Sequence, residues 1–157
     1  MTERSGDHHT CTIGRTLVAD PARVFGALAD PEAKRWWFAP PPEWATSDHE
    51  LDFRVGGREY LTVASPDGKV HTFDGRYDDV VPDRRVVFAS QLHVGATLRS
   101  VSVTTIELSP NGAGTALTFT EQVVVLDGGD RATSREEGSR ALLDNLAAEV
   151  GGDGPAT

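Results

Sequence analysis

The sequence has few of the residues that build covalent or metal-centred sites. Its 157 residues include one cysteine, Cys11, which excludes an intramolecular disulfide and a metal cluster held by several cysteines. No stretch approaches the ~20 consecutive apolar residues of a membrane span. The polar segment 1–10 also lacks the apolar core of a signal peptide. These absences predict a soluble, cytoplasmic protein.

Positive charge is also scarce. Lys and Arg number 15 against 24 Asp and Glu, which gives a formal net charge of −9. An acidic surface repels phosphate backbones and anionic lipids, so we expect neither nucleic acid nor a membrane as a partner. The length fits one domain, because domains typically run to ~100–150 residues. Apolar residues make up 38%, an ordinary globular composition.

Alternation of apolar and polar residues predicts one strand near the N-terminus and six more between residues 49 and 125. The first strand is expected at residues 10–18. Two short helices follow it, each opened by an aspartate cap and a proline, at Asp20-Pro21 and Asp30-Pro31. Turn residues separate the later strands, which are expected at residues 49–55, 58–65, 70–79, 85–90, 98–108 and 115–125.

The last predicted element is a long amphipathic helix. Asp130 or Thr133 can cap it, and it is expected to end near residue 150. Its apolar residues recur at i, i+3 and i+4, so one stripe must be buried: Leu142, Leu143, Leu146, Ala147 and Val150. A curved antiparallel sheet of about seven strands around this helix buries both, which is an α+β architecture.

We expect a single domain over residues 10–150. Residues 1–9 are predicted to form a disordered N-terminal tail, and residues 151–157 a flexible C-terminal one. A curved sheet cannot close tightly on a helix everywhere. A cavity is therefore expected between the sheet and the C-terminal helix.

Seven segments, in order along the chain, resemble one known family. Residues 19–31 are similar to its opening pattern aPpevVwxaltdPe, residues 36–40 to W-[WF]-x-P, and residues 52–57 to D-x-R-x-G-G. The agreement continues at residues 66–68, 75–77, 81–88 and 114–118, and covers about residues 10–150. On these motifs the chain is identified as a member of the activator of heat-shock-protein-90 ATPase homologue-like (AHSA-like) family, within the START and birch-pollen-allergen-like (SRPBCC) superfamily.

The resemblance implies a helix-grip fold, with two short helices after the first strand. Members of the family often have Gly-Trp in the final helix where this chain has Gly138-Ser139, so we expect additional room beside Ser139. The family's eukaryotic co-chaperone also carries a separate N-terminal activating domain, to which the resemblance does not extend. A chaperone partner is therefore not our leading expectation.

Glu121 is the candidate polar group of the cavity. It shares strand parity with Phe119 and Val123, so its carboxylate is expected to point into an apolar space. A carboxylate there must be paired or have a raised pKa, which is a mark of functional sites. Arg99 shares parity with Val101 and is the partner that we expect for it.

The other polar residues are assigned structural roles. Asp52 and Arg54 are expected to form a salt bridge, and Cys11 to be an inert buried thiol. The histidines lie in the tail or on separate elements, so no metal site is predicted: His8, His9, His49, His71 and His93.

The leading hypothesis is a non-enzymatic module that binds a small hydrophobic or amphipathic ligand in this cavity. No catalytic residue, metal or cofactor is expected. The candidate ligand-binding residues are Trp36, Trp37, Phe53, Phe73, Arg99, Phe119, Glu121, Ser139, Leu142 and Leu146.

Two alternatives remain open. One is an enzyme of the polyketide-cyclase or dehydratase kind, with Glu121, Arg99 or a histidine as acid–base groups. The other is a protein-interaction domain that modulates a chaperone, which would need an exposed apolar patch. A homodimer is also possible, with an interface from an edge strand or from the cluster of Trp36, Trp37, Trp44 and Phe38.

Overall fold

A computed structural model describes residues 4–129 and 132–151 of the chain. The elements follow in the order β1 (Gly6–Leu17), α1 (Pro21–Ala29), α2 (Pro31–Trp37), β2 (Ala45–Leu51), β3 (Arg58–Ala64), β4 (Val70–Val81), β5 (Arg85–Val94), β6 (Thr97–Asn111), β7 (Gly114–Leu126) and α3 (Ala132–Gly151). The predicted α+β class is confirmed, and the elements are those of a helix-grip fold.

The seven strands form one curved antiparallel sheet in the order β1-β7-β6-β5-β4-β3-β2. Consecutive strands from β2 to β7 pair with each other as a meander. The last strand, β7, also pairs with β1 along the whole length of β1. The first strand of the chain therefore lies beside the last one. This pairing leaves β1 and β2 as the two edges of the sheet.

The two short helices begin where the sequence predicts. The Asp20 side chain accepts a hydrogen bond from the Arg23 backbone N–H at 2.9 Å. Asp30 accepts one from the Glu32 N–H at 3.1 Å, and a proline follows each cap. These caps satisfy backbone donors that the first turn of a helix leaves free. Local sequence therefore determines both helix starts.

The long helix α3 packs against β1, α1 and α2. Its buried residues join a core in which the helices meet the β1, β7 and β6 side of the sheet: Ile13, Val24, Leu28, Leu117, Leu143 and Leu146. None of the helices within residues 4–129 and 132–151 is long and apolar enough to cross a membrane. The buried stripe of α3 thus faces the core of the domain.

Several predicted boundaries are wrong. β2 begins at Ala45, four residues before the predicted start, β5 ends at Val94, four residues after the predicted end, and Gly151, predicted as tail, belongs to α3. β1 begins at Gly6, so residues 6–9, predicted as tail, pair with β7. Backbone pairing does not need an apolar pattern, which is why the sequence pattern missed it. β2 ends at Leu51, so Phe53 lies in a loop and not in a strand.

Some predictions fall at the ends of the described residues. Thr133 lies inside α3, one residue after its start, and not before the helix as a cap would. Residues 1–3 of the predicted N-terminal tail, the Asp130 cap and residues 152–157 lie outside the described residues.

The loop between β2 and β3 is tied to β4 through backbone hydrogen bonds. The Gly56 N–H donates to the Tyr77 carbonyl at 2.8 Å, and the Tyr77 N–H donates to the Gly57 carbonyl at 3.0 Å. A Cβ on Gly57 would overlap the backbone carbonyl oxygen of Asp52. Only glycine therefore fits there without moving the loop.

Gly57→Ala is expected to destabilise the protein by roughly 2 kcal/mol or more, because the loop must leave β4 to make room for the methyl group. Gly26→Ala is the matched control. It places a methyl group in open space inside α1, where alanine is expected to stabilise the helix by about 1 kcal/mol. Urea unfolding of both variants measures the difference. Equal stabilities would contradict the role of Gly57.

Candidate functional site

The candidate site lies on the concave face of the sheet, which α1, α2 and α3 partly cover. The strand register aligns the inward-facing side chains in rows that cross the sheet from β7 to β4. One row begins with a carboxylate and ends with rings: Glu121, Thr104, Phe88 and Tyr77. The next row has small residues at its centre: Val123, Ser102, Ser90 and Gly75. The third row ends with apolar side chains: Val125, Ser100, Leu92 and Phe73.

Aromatic rings form the apolar end of this face. The rings of Phe38 and Phe73 are 5.3 Å apart between centroids, and those of Phe73 and Phe88 are 6.3 Å apart, both edge to face. The Phe73 ring also leans over Gly75, where a Cβ would lie 3.2 Å from it. All three rings face inward yet are only partly buried. Apolar ring surface therefore remains open on the concave side.

Glu121 and Arg135 form the polar end. Glu121 faces inward and is 9% exposed. The Arg135 Nε donates to Glu121 Oε1 at 2.8 Å, and its Nη2 donates to Oε2 at 3.4 Å. The Nη1 of the same guanidinium donates to the Ser100 hydroxyl at 3.1 Å. The inward orientation of Glu121 was predicted correctly, but Arg135 was not foreseen as its partner.

The predicted pairing of Glu121 with Arg99 is wrong. Ser100, Ser102 and Thr104 are buried on β6, as are Ile106 and Leu108 further along, so Arg99 and Val103 point to the outer face, and Val103 is 45% exposed. In the first half of β6 the alternation is inverted, with valines outside and hydroxyls inside. The parity of the valines therefore indicated the wrong face. The enzyme alternative named Arg99 among its acid–base groups, and Arg99 does not lie on the inner face.

A second polar cluster, which the sequence analysis missed, is fully buried beneath the aromatic rings. The Lys34 Nζ donates to Glu59 Oε1 at 2.6 Å and to the Tyr77 hydroxyl at 3.0 Å. The Tyr77 hydroxyl donates to the same Glu59 oxygen at 2.6 Å, and His49 Nε2 lies 2.8 Å from Glu59 Oε2. The Lys34 ammonium also lies 5.0 Å from the centroid of the Phe38 ring. This cluster joins α2 to three strands.

The cluster has a strong effect on two pKa values. Burial by itself raises the pKa of Glu59, but the Lys34 ammonium and the hydrogen bonds from His49, Lys34 and Tyr77 outweigh it and lower the pKa to about 2. Burial raises the pKa of Tyr77 far above its ordinary value, and the Glu59 carboxylate raises it further. Glu59 is therefore an anion, and Tyr77 a neutral donor, at neutral pH.

Two weak signals in the sequence point to this cluster. Lys34 precedes Trp37 by three residues, so both lie on one face of α2, and both are buried. Glu59 shares strand parity with Leu61 and Val63, the two buried apolar residues of β3. Neither signal identifies a partner, because the cluster members lie on four separate elements.

The predicted ligand-binding residues divide between this face and other places. Trp36 is 54% exposed on α2, whereas Trp37 is buried and donates its Nε1 hydrogen to the Ala27 carbonyl at 2.9 Å. Leu146 is part of the closed core, and Phe53 packs in its loop against Phe25 and Tyr77. Of the remaining candidates, Phe73, Phe119 and Glu121 face inward from the sheet, and Ser139 and Leu142 are half-buried on α3.

The other polar predictions have simple outcomes. Asp52 and Arg54 form a salt bridge of 2.9 Å between exposed side chains. Cys11 is partly buried, and its thiol donates to Glu136 Oε1 at 3.3 Å. Burial, followed by Glu136, raises the pKa of Cys11, so the thiol is not activated. In the described part of the chain no three His, Cys, Asp or Glu side chains are placed to hold a metal ion.

A depression of about 420 Å³ lies on the opposite, outer face of the sheet, near the ends of β5, β6 and β7. It is lined mostly by polar residues: Arg84, Arg85, Glu107, Leu108, Ser109, Ala116 and Thr118. This depression is therefore separate from the predicted space between the sheet and α3.

The fold and the motifs can now be compared with known proteins. The sequence profile of the family described as "Activator of Hsp90 ATPase homolog 1-like protein" matches residues 18–151. The chain belongs to this family. No curated protein matches it.

Solved structures of similar proteins support the membership. An uncharacterised protein from Rhizobium leguminosarum is 45% identical, with a TM-score of 0.90, over 95% of this chain and 98% of that one. The Mll3558 protein from Rhizobium loti is 43% identical, with a TM-score of 0.85, over 92% and 99%. Protein CV1439 from Chromobacterium violaceum is 32% identical, with a TM-score of 0.77, over 90% and 96%. The chain therefore shares the fold of these three proteins over nearly its whole length.

Proposed function

We propose that this protein binds a small hydrophobic or amphipathic molecule between the sheet and α3, and that it does so without catalysing a reaction. One observation carries the proposal: Phe73 and Phe88 face inward from β4 and β5, yet their rings remain partly exposed. Large apolar side chains that face the inside of a domain are normally covered. A ligand that stacks on these rings would cover them.

The position of α3 supports this location. The helix makes its close contacts with β1, α1 and α2, whereas the two rings lie on β4 and β5. Its half-buried residues Ser139 and Leu142 precede the closed part of the helix, which begins at Leu143. An apolar surface with a few convergent polar groups is typical of small-molecule sites, and the pair of Glu121 and Arg135 supplies those groups.

Ser139→Trp tests the proposal directly. An indole at this half-buried position would occupy the space beside Leu142, so we expect binding to fall at least tenfold while the melting temperature stays the same or rises. The neutral fluorophore N-phenyl-1-naphthylamine, whose emission increases in apolar surroundings, serves as the probe. Ala141→Trp is the matched control, because Ala141 is exposed on the same helix and an indole there is expected to leave binding unchanged.

Two results would contradict the proposal. If the neighbouring side chains already fill the space beside Ser139, the indole overpacks the core and costs ~1–3 kcal/mol of stability. If the unmodified protein binds neither the fluorophore nor any member of an apolar compound library, the concave face is not a ligand site. A thermal melt and a fluorescence titration distinguish these results.

A further inference from the structure

The concave face also indicates which class of ligand it accepts. We infer that it selects uncharged aromatic molecules that carry one oxygen acceptor, such as a ketone, and that Arg135 donates a hydrogen bond to that oxygen. The inference rests on the proposed function, because it concerns the same site.

The distance between the two ends of the face sets the length of the ligand. Glu121 lies on β7 and Phe88 on β5, two strand spacings away in the same row, which is about 10 Å. Thr104 lies between them in that row, and beside it in the next row lie Ser102 and Ser90, whose hydroxyls hydrogen-bond to each other at 2.8 Å. Because these side chains are small, they leave space for a ligand above the centre of the concave face. A molecule of two fused rings with one polar substituent spans this distance.

The ion pair determines the charge that the polar end accepts. A guanidinium has five N–H donors, and Arg135 directs three of them to Glu121 and Ser100. Its other two N–H groups have no acceptor among the described residues, so they can donate to a ligand. Glu121 already neutralises Arg135, so an anionic ligand would bring an uncompensated negative charge beside a buried carboxylate. A neutral oxygen can accept the hydrogen bond without that cost.

The aromatic end offers no free cation either. Lys34 lies 5.9 Å from the centroid of the Phe88 ring, but its ammonium is paired with Glu59 at 2.6 Å. On α3, Arg140 is paired with Glu136 and Arg15 of β1 with Asp144. Among the described residues, Lys34, Arg140 and Arg15 are thus each paired with a carboxylate, as Arg135 is with Glu121, which disfavours an anionic ligand.

Three naphthalenes of nearly equal shape test the inference by displacement of N-phenyl-1-naphthylamine: 2-acetylnaphthalene, 2-ethylnaphthalene and 2-naphthoate. At neutral pH we expect 2-acetylnaphthalene to bind about tenfold more tightly than either of the others. Arg135→Met is expected to remove the preference for the ketone over the ethyl compound. It should leave the binding of 2-ethylnaphthalene within about twofold.

Glu121→Gln provides a readout that a purely structural role would not change. It leaves Arg135 without its counterion, so 2-naphthoate is expected to gain at least tenfold and to overtake the ketone. Asp74→Asn is the matched control. It breaks the Arg58–Asp74 pair between partly exposed side chains, 2.9 Å long, and should not alter the ranking. Far-UV circular dichroism and a cooperative melt establish that each variant is folded.

The outcomes separate this inference from the proposed function. If the three compounds bind equally, or if 2-naphthoate is preferred by the unmodified protein, the inference is overturned while ligand binding stands. If neither the fluorophore nor any of the three compounds binds, both are overturned. The ranking in the unmodified protein decides the inference even if the Glu121 variant does not fold.

Discussion

Lys34→Met is expected to lower the free energy of unfolding by about 3–5 kcal/mol, the cost of removing one partner of a buried ion pair. Lys34 is 5% exposed and Glu59 is 1% exposed, and 2.6 Å separates the ammonium from the carboxylate. Without the lysine, the Glu59 carboxylate stays buried with only His49 and Tyr77 as partners. Urea unfolding at neutral pH measures the loss.

The double variant Lys34→Met/Glu59→Leu should recover most of this loss. Replacing both charges with apolar side chains removes the cost of an unpaired charge, and such replacements of a buried pair are often neutral. Arg54→Met is the control, since the Arg54–Asp52 pair is solvent-exposed and such pairs are worth about 0–1 kcal/mol. A loss at Lys34 as small as that at Arg54 would refute a structural role for the buried pair.

The same cluster should make the protein lose stability in acid. The pKa of Glu59 is about 2 in the folded state, against an ordinary value of 4.5. Between these values the unfolded chain binds a proton that the folded protein does not, so stability is full above pH 4.5 and falls as the pH approaches 2. A pKa difference of this size corresponds to about 3 kcal/mol.

Urea unfolding between neutral pH and pH 3 tests the acid dependence. The variant Lys34→Met/Glu59→Leu lacks the depressed carboxyl group and should lose less stability than the unmodified protein over the same range. Parallel profiles for the two proteins would show that other carboxylates cause the acid loss. At the alkaline end the sign is opposite, because the raised pKa of Tyr77 means that stability falls as the pH rises above its ordinary value of 10.0.

Much of the fold could be predicted because its signals are local. An aspartate followed by proline begins a helix through contacts within four residues, as at Asp20 and Asp30. The turn before β4 is equally local, because Gly68 adopts a positive φ of 85° that glycine allows. Alternation on β7 placed Glu121 inward, since apolar residues flank it at every second position.

Alternation failed where the inner face is polar. The first half of β6 has serines and a threonine inside and valines outside, because Ser102 hydrogen-bonds to Ser90 of β5 and Ser100 accepts a hydrogen bond from Arg135. Hydrophobicity alone therefore assigned Arg99 to the wrong face. The partner of Glu121 comes from α3, 14 residues further along the chain, and strand parity carries no information about a helix.

The sequence by itself determined the order of the elements, their turns and caps, and the buried stripe of α3. The tertiary structure alone decided which charges meet: Lys34 with Glu59, and Arg135 with Glu121. Turns, caps and amphipathic stripes arise from contacts within a few residues, so they can be read from the sequence pattern. A buried ion pair depends on how the sheet curves and where the helices cross it, and this geometry exists only once the whole chain has packed.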